Sequence, residues 1–256
     1  MQFHRKAHTW LREFVQLFHG AVVMNVYTKP PKHYLEYTVA GKVPVILIPG
    51  ILGRWGYMKT LGDKISLRGH PVYIVPELGM NIYSVPSSAK MLRALVVQAV
   101  PKLGHIPPKV ARGAQVVRKF LEEKNIKGAV IVGHSKGGLI GKYLLAHYNA
   151  DHRVLGMVAI ATPFSGSALA KLIPHDSFKE LKRDSEVIAD LERHQKVNAS
   201  IISVFPEYDT HIWADSGSYL EGAMENIEVP IGGHNTLVAN KEIQKVVLKA
   251  VDTFTT

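Results

Sequence analysis

Gly128-Ala-Val-Ile-Val-Gly-His-Ser-Lys-Gly-Gly138 is the stretch on which the interpretation of the whole sequence depends. Its apolar run, 128–132, has the length and the β-branched content of a buried strand, and a helical pattern begins near Lys136. Between them lies Gly133-His-Ser-Lys-Gly137, a G-x-S-x-G pattern whose glycines allow a turn too tight for a Cβ atom. A serine on such a strand–turn–helix connection is presented as a nucleophile, so we predict that role for Ser135. The alternative interpretation is a tight glycine turn with an unreactive serine.

Strand-like runs alternate with helical patterns on both sides of this turn. The predicted strands are 43–48, 71–75, 128–132, 154–160, 200–205 and 226–229. The predicted helices include 3–18, 57–67, 110–124 and a closing helix with Asn240 as its N-cap. This alternation predicts an α/β fold, with a mostly parallel central sheet that carries helices on both faces. The length of 256 residues fits a single domain, 1–256.

Two segments interrupt the alternation, and we predict that they are cap or lid segments. Segment 79–108 is rich in Pro, Ser and apolar residues, with a helical stretch around 91–97, and segment 164–198 is charged, with Asp184 as an expected N-cap. Their apolar side chains would line a pocket above Ser135 or would be buried in ordinary packing, and both interpretations stay open. These side chains are Met80, Ile82, Met91, Leu92, Leu95, Leu169 and Ile173.

A serine is a weak nucleophile without a neighbouring base, and His234 is the best candidate for that base. It lies in a glycine-bearing loop after the last predicted strand, at the sheet edge where doubly wound folds place their active sites. The acid that orients the imidazole should follow a strand between Ser135 and His234. Asp209 meets this condition, with Glu207 and Asp215 as rivals in the same loop.

The oxyanion of an acyl-transfer intermediate needs two fixed N–H donors. The backbone N–H of Lys136, which follows the serine, is one candidate. The other should come from the loop after the first buried strand, Ile48-Pro-Gly-Ile-Leu-Gly53. We predict Ile51 as this donor and Leu52 as the next choice, while an ordinary Gly/Pro turn is the alternative.

Together these motifs resemble α/β-hydrolases of the bacterial lipase and esterase type. The motifs that carry the resemblance are Pro49-Gly50, the glycine turn around Ser135, Ala161-Thr-Pro-Phe-Ser-Gly166, the Asp209 loop and Gly233-His234, which cover roughly 44–251. The resemblance implies an esterase or lipase that cleaves small-molecule or lipid esters through a Ser-Asp-His triad and an acyl-enzyme. There are two departures: Pro49 stands where lipases often carry His, and Lys136 stands where many carry an apolar residue.

Two other functions remain open for the same motifs. An acyltransferase would use the same triad with an alcohol or amine in place of water, and a non-catalytic binding protein would use the same fold. The absence of cysteine excludes a disulfide scaffold, a cysteine zinc site and a cysteine nucleophile. No nucleotide-binding or H-E-x-x-H pattern is present, so we expect neither a cofactor nor a metal. The basic residues behind the net charge of +10 are scattered, so we do not expect nucleic acid as a partner.

An extra N-terminal helix is predicted within 1–20, where Trp10, Phe14, Leu17 and Phe18 recur at helical spacing among basic residues. These aromatics would pack on the domain, which we favour, or would contact a membrane surface. The sequence has no apolar stretch of bilayer length and no standard signal peptide, although a leader removed earlier would leave no trace. We therefore expect a cytoplasmic protein, with peripheral membrane association as the alternative.

Overall fold

The strands of this computed structural model, which describes residues 2–97, 128–212 and 217–254, form one parallel sheet. They are β1 (Val45–Ile48), β2 (Val72–Ile74), β3 (Ala129–His134), β4 (Val154–Ile160), β5 (Ile201–Tyr208) and β6 (Glu225–Gly232). Their order in the sheet is β2-β1-β3-β4-β5-β6, so the chain reverses its direction of travel between β2 and β3. A reversal of this kind opens a crevice at the carboxyl ends of the strands, where such folds bind ligands.

The helices cover both faces of this sheet, as the sequence predicts. They are α1 (Gln2–Val26), α2 (His33–Glu36), α3 (Lys59–Leu67), α4 (Val85–Val97), α5 (Lys136–His147), α6 (Asp176–Lys179), α7 (Glu186–Arg193), α8 (Thr236–Ala239) and α9 (Lys241–Asp252). Short 3₁₀ turns lie at Trp55–Met58, Pro76–Leu78, Leu169–Leu172 and Gln195–Ser200. The predicted α/β fold class is confirmed.

Alternating side chains of the strands build two cores, because successive residues of a strand point to opposite faces. In β1, Ile46 and Ile48 pack in the core that includes α4, α5 and α7. Val45 and Leu47 pack on the other face, in the core that includes α3 and α9. Burial on both faces explains why β1 and β3 are continuous apolar runs instead of alternating ones.

The structure corrects one predicted helix cap and confirms another. The side chain of Ser185, not of Asp184, caps α7 and accepts a hydrogen bond from the backbone N–H of Ile188 at 3.2 Å. Asn240 caps α9 as predicted and accepts from the backbone N–H of Glu242 at 2.9 Å. The predicted helix 110–124 and the rival acid Asp215 lie outside the described residues.

The two predicted cap segments differ from each other. In segment 79–108, of which 79–97 is described, Leu92 and Leu95 are buried in the core with α5, so α4 is a sheet-covering helix. In segment 164–198, Leu169 and Ile173 line a cavity together with Ser135. The pocket interpretation therefore holds for the second segment and the packing interpretation for α4.

The N-terminal helix α1 is longer than predicted and packs through an unexpected face. Its buried residues are Glu13 and Gly20, and Gly20 lies against Tyr57, whose ring a Cβ atom would approach to 2.7 Å. Phe14 and Phe18 are exposed, so the favoured prediction that the aromatics pack on the domain is wrong. None of the helices in the described residues combines the length and the apolar content that a bilayer crossing requires.

Candidate active site

Ser135 lies on a strained turn between β3 and α5. Its φ of 54° and ψ of −122° are unusual for a residue with a side chain, and the surrounding glycines make the turn feasible. A Cβ atom on Gly133 would lie 2.7 Å from the carbonyl oxygen of Gly137, and one on Gly137 would lie 2.2 Å from that of Ile48. The turn therefore places Ser135 at the carboxyl end of β3 and at the N-terminus of α5, where the helix dipole favours negative charge.

His234 and Asp209 are in direct contact at the same edge of the sheet. The Nδ1 atom of His234 lies 2.9 Å from Oδ2 and 3.1 Å from Oδ1 of Asp209. The carboxylate is held in turn by the backbone N–H groups of His211 at 2.7 Å and Ile212 at 2.9 Å. The rival Glu207 is exposed on β5. This pairing fixes the imidazole orientation and leaves Nε2 of His234 as its second functional nitrogen.

Two further imidazoles lie against His234, one on each side. The ring centroid of His134 is 4.9 Å from that of His234, and the centroid of His211 is 4.6 Å away. Burial lowers the pKa of His134 far below its ordinary value and that of His211 to about 4, and the charge of His234 adds to both effects. Both neighbours are therefore neutral near pH 7.

The pKa of His234 moves in the opposite direction. Burial alone disfavours the imidazolium, but the carboxylate of Asp209 and, more weakly, that of Glu13 outweigh it and raise the pKa above its ordinary value. Since only the charged form gains from these carboxylates, they stabilise the imidazolium that a general base becomes.

The loop after β1 approaches Ser135 closely. A Cβ atom on Gly50 would lie 3.1 Å from Cβ of Ser135, so only glycine fits there without displacement. The side chain of Asn81 donates to the carbonyl of Pro49 at 2.7 Å and holds the loop in place. Ile51 and Leu52 line the same cavity as Ser135.

Lys136 has a buried side chain, which is unusual for an ammonium group. Its Nζ donates to the carbonyl of Tyr83 at 2.6 Å and to that of Asn81 at 3.3 Å. Burial lowers its pKa to about 8, while the charge of Glu180 acts in the opposite direction. The side chain thus ties α5 to the loop that holds Pro49, and its backbone N–H follows Ser135 at the start of the helix.

A cavity of about 400 Å³ opens at Ser135 and His234. Its walls are mainly apolar, and most of the apolar lining comes from three parts of the chain. These residues are Gly50, Ile51, Leu52 and Tyr57 near β1, Pro163, Leu169, Ala170, Ile173, Phe178 and Leu181 after β4, and Leu17, Ala21 and Met24 of α1. A volume of this size accommodates a small ligand with an apolar chain.

Glu13 of α1 is a site residue that the sequence analysis missed. Its Oε2 accepts from the backbone N–H of Asn235 at 2.9 Å and from Nδ2 of Asn235 at 3.1 Å. Its Oε1 accepts from the backbone N–H of Thr236 at 2.8 Å and from the Thr236 hydroxyl at 2.5 Å. The φ of Gly233 is +121°, and a Cβ atom there would lie 2.4 Å from Oε1 of Glu13. Glu13 therefore fixes the loop that carries His234.

Among the residues that the structure describes, two side-chain clusters have donor atoms suited to a metal ion. Asp209, His211 and His234 form one, and His147, Asp190 and His194 form the other, each with donor atoms within 4.8 Å of one another. In the second, Nε2 of His147 lies 2.6 Å from Oδ2 of Asp190, so a direct hydrogen bond occupies these two atoms without a metal. The sequence did not reveal this cluster because α5 and α7 bring its members together.

Comparisons with known proteins agree with this architecture. A family model described as alpha/beta hydrolase fold matches residues 43–190. No curated protein sequence matches the chain significantly. The structure is similar to the mature lipase BlEst2 of Bacillus licheniformis, with a TM-score of 0.62, 14% identity, and coverage of 85% of this chain and 95% of the lipase.

Two other solved structures show the same likeness. Aspergillus fumigatus lipase B has a TM-score of 0.63 and 15% identity, with coverage of 87% of this chain and 55% of the lipase. A structure from a report on LipS and LipT, two metagenome-derived lipolytic enzymes, has a TM-score of 0.53 and 14% identity, over 88% of this chain and 100% of the other. At such identities the likeness concerns the fold.

Proposed function

The chain belongs to the α/β-hydrolase fold family, and on this premise we propose that it is a serine hydrolase that cleaves carboxylic esters. The observation that carries the proposal is the contact of 2.9 Å between Nδ1 of His234 and Oδ2 of Asp209, together with the cavity that His234 and Ser135 both line. Ser135 follows β3, and Asp209 and His234 follow β5 and β6, so three separate parts of the chain supply the residues of the proposed triad. The structural likeness to lipases adds support, although sequence identity is low.

The chemistry assigned to these residues is acyl transfer to water. The Oγ of Ser135 attacks the ester carbonyl, and Nε2 of His234 takes the serine proton. Asp209 holds the imidazole in the required tautomer and stabilises the imidazolium. The backbone N–H groups of Ile51 and Lys136 stabilise the tetrahedral oxyanion.

Collapse of the intermediate releases the alkoxide, which takes the proton from His234, and leaves an acyl group on Ser135. Water then enters, gives a proton to His234 and attacks the acyl carbon. The second intermediate releases the carboxylic acid and returns the proton to Ser135. Each bond that forms or breaks is therefore matched by one proton transfer through His234.

The cavity walls favour an ester with an apolar acyl chain. Leu169, Ile173 and Phe178 from the segment after β4 and Leu17 and Met24 from α1 present hydrocarbon in the cavity that Ser135 lines. Burying a chain against such walls contributes about 0.8 kcal/mol per methylene group. The proposed substrate class is therefore a lipid ester or a small-molecule ester with an apolar chain.

Hydrolysis of p-nitrophenyl esters and labelling by a fluorophosphonate test the proposal. We expect Ser135→Ala to lower kcat by roughly 10³-fold or more and to abolish labelling, because the nucleophile is lost. Ser66→Ala is the matched control, since Ser66 is a buried serine of α3 whose hydroxyl donates to the His33 carbonyl, away from the cavity. Near-normal hydrolysis by Ser135→Ala would contradict the proposal, and added acceptor alcohol separates hydrolysis from acyl transfer.

A further inference from the structure

The outer face of α1 is an apolar surface that points away from the domain. It consists of Trp10, Leu11, Phe14, Val15, Phe18 and Val22, whose exposed fractions range from 44% to 72%. In a helix these residues occupy one continuous side, because successive residues advance by about 100°. The opposite side, with Glu13 and Gly20, is the buried one.

An exposed apolar surface of this size is unusual for a protein whose whole surface is in contact with water. An aromatic side chain presents about 150–250 Å², so Phe14 and Phe18 with their neighbours exceed the few hundred Å² that soluble monomers ordinarily expose in one patch. Both rings remain exposed against all the residues that the structure describes. Contiguous patches of this size mark sites of protein or membrane interaction.

The charged residues around this surface indicate which kind of partner it binds. Residues 1–36 carry Arg5, Lys6, Arg12, Lys29 and Lys32 against two acidic residues, Glu13 and Glu36. Glu13 is 1% exposed and is occupied by Asn235 and Thr236, so Glu36 alone of the two offsets the exposed charges of Arg12, Lys29 and Lys32, and the segment stays basic at its surface. A basic helix with an aromatic face is typical of segments that lie in the interface of an anionic bilayer.

We propose that the outer face of α1 docks on an anionic phospholipid bilayer, with the helix in the plane of the interface. Its apolar side chains enter the boundary between headgroups and acyl chains, and Arg12, Lys29 and Lys32 face the negative headgroups. A second copy of this chain fits less well, since a two-fold contact would bring the same positive charges together.

The docked orientation bears on the proposed ester chemistry, although docking itself does not depend on it. Leu17 and Leu52 each line the cavity and are 46% exposed, so the cavity opens beside the outer face of α1. If the proposed function holds, an ester dissolved in the bilayer reaches Ser135 along apolar side chains. The bilayer to which the outer face of α1 binds would then also hold the ester that enters the cavity.

Co-sedimentation with vesicles tests the docking without any ester present. The full-length Ser135→Ala protein is mixed with phosphatidylcholine vesicles that contain or lack phosphatidylglycerol. We expect binding to the anionic vesicles, weaker binding to pure phosphatidylcholine, and a loss of about tenfold or more in Phe14→Ser/Phe18→Ser. Leu67→Ser is the matched control and should bind normally, because Leu67 is 64% exposed at the end of α3, at the opposite edge of the sheet.

Substitution is preferable to removal of the helix, since removal would also take away Glu13. Absence of binding to anionic vesicles, or equal binding by Phe14→Ser/Phe18→Ser, would overturn the proposal. So would a concentration-dependent dimer, seen by sedimentation velocity, that the double substitution dissolves. Hydrolysis of a soluble short-chain ester should be unchanged in Phe14→Ser/Phe18→Ser with Ser135 intact. Vesicle binding without any hydrolysis would end the proposed function and leave the docking in place.

Discussion

The carboxyl edge of the sheet and the helix α1 contribute to the candidate site in different ways. The sheet edge presents Ser135, Asp209 and His234, the residues to which we assign the proposed acyl transfer. The helix presents a buried carboxylate, Glu13, to the His234 loop and supplies Leu17 to the cavity wall. The comparison separates groups that would react with the substrate from groups that hold and shape the place where the reaction occurs.

The largest expected effect belongs to the sheet edge. Asp209→Asn should lower kcat for a p-nitrophenyl ester by roughly 10³–10⁴-fold, because an amide favours the wrong imidazole tautomer. The fold should persist by circular dichroism, since the side-chain oxygen still accepts the backbone N–H of Ile212. Glu207→Gln is the matched control, as Glu207 is an exposed carboxyl group in the same part of the chain. Activity within tenfold of wild type in Asp209→Asn would remove Asp209 from the proposed triad.

Much of the sheet edge could be predicted from the sequence because local patterns encode it. Ser135 is flanked by glycines at positions where any Cβ atom would collide with neighbouring backbone. Such turns can be recognised in the sequence as short motifs. Asp209 and His234 follow predicted strands, and parallel strands bring their carboxyl ends to one edge. Order along the chain was therefore enough to predict these positions.

The contribution of α1 could not be predicted in the same way. Glu13 reaches Asn235 across 222 residues of sequence, and no local pattern reports such a contact. Apolar periodicity indicated a helix and favoured the aromatic side as the packed one. In the structure, α1 instead packs through the side that carries the polar Glu13 and the small Gly20. A buried hydrogen-bonded carboxylate and a close backbone approach stabilise that contact.

Glu13→Ala should have the next largest effect. Removing the carboxylate leaves buried donors of Asn235 and Thr236 without partners, at a cost on the order of 3 kcal/mol in the free energy of unfolding. The loosened His234 loop should lower kcat by roughly 10–100-fold at a temperature where the variant is folded. Chemical denaturation and ester hydrolysis measure the two effects separately. A loss of stability with unchanged kcat would make Glu13 structural only.

The pH profile tests whether Glu13 also acts on His234 through its charge. The base must be neutral, and the carboxylates raise the pKa of His234, so kcat/KM should rise with pH through a midpoint above the ordinary histidine value. Glu13→Gln removes one negative charge, lowers that pKa and should move the acidic limb to lower pH. Glu36→Gln, an exposed site on α2, serves as the control. An acidic limb that stays in place in Glu13→Gln would show that its charge does not reach His234.

The smallest expected effect separates the two walls of the cavity. Leu17→Ala removes hydrocarbon from the α1 wall, and Ile173→Ala removes it from the wall after β4. Each truncation should lower kcat/KM for long-chain esters by roughly 3–10-fold and leave acetate esters nearly unchanged, because only a long chain reaches the altered wall. An effect of Leu17→Ala alone would place the acyl chain along α1, whereas an effect of Ile173→Ala alone would place it along the segment after β4. Equal losses for acetate and long-chain esters would mean that neither residue contacts the acyl chain selectively, which would contradict the apolar-chain specificity proposed for this cavity.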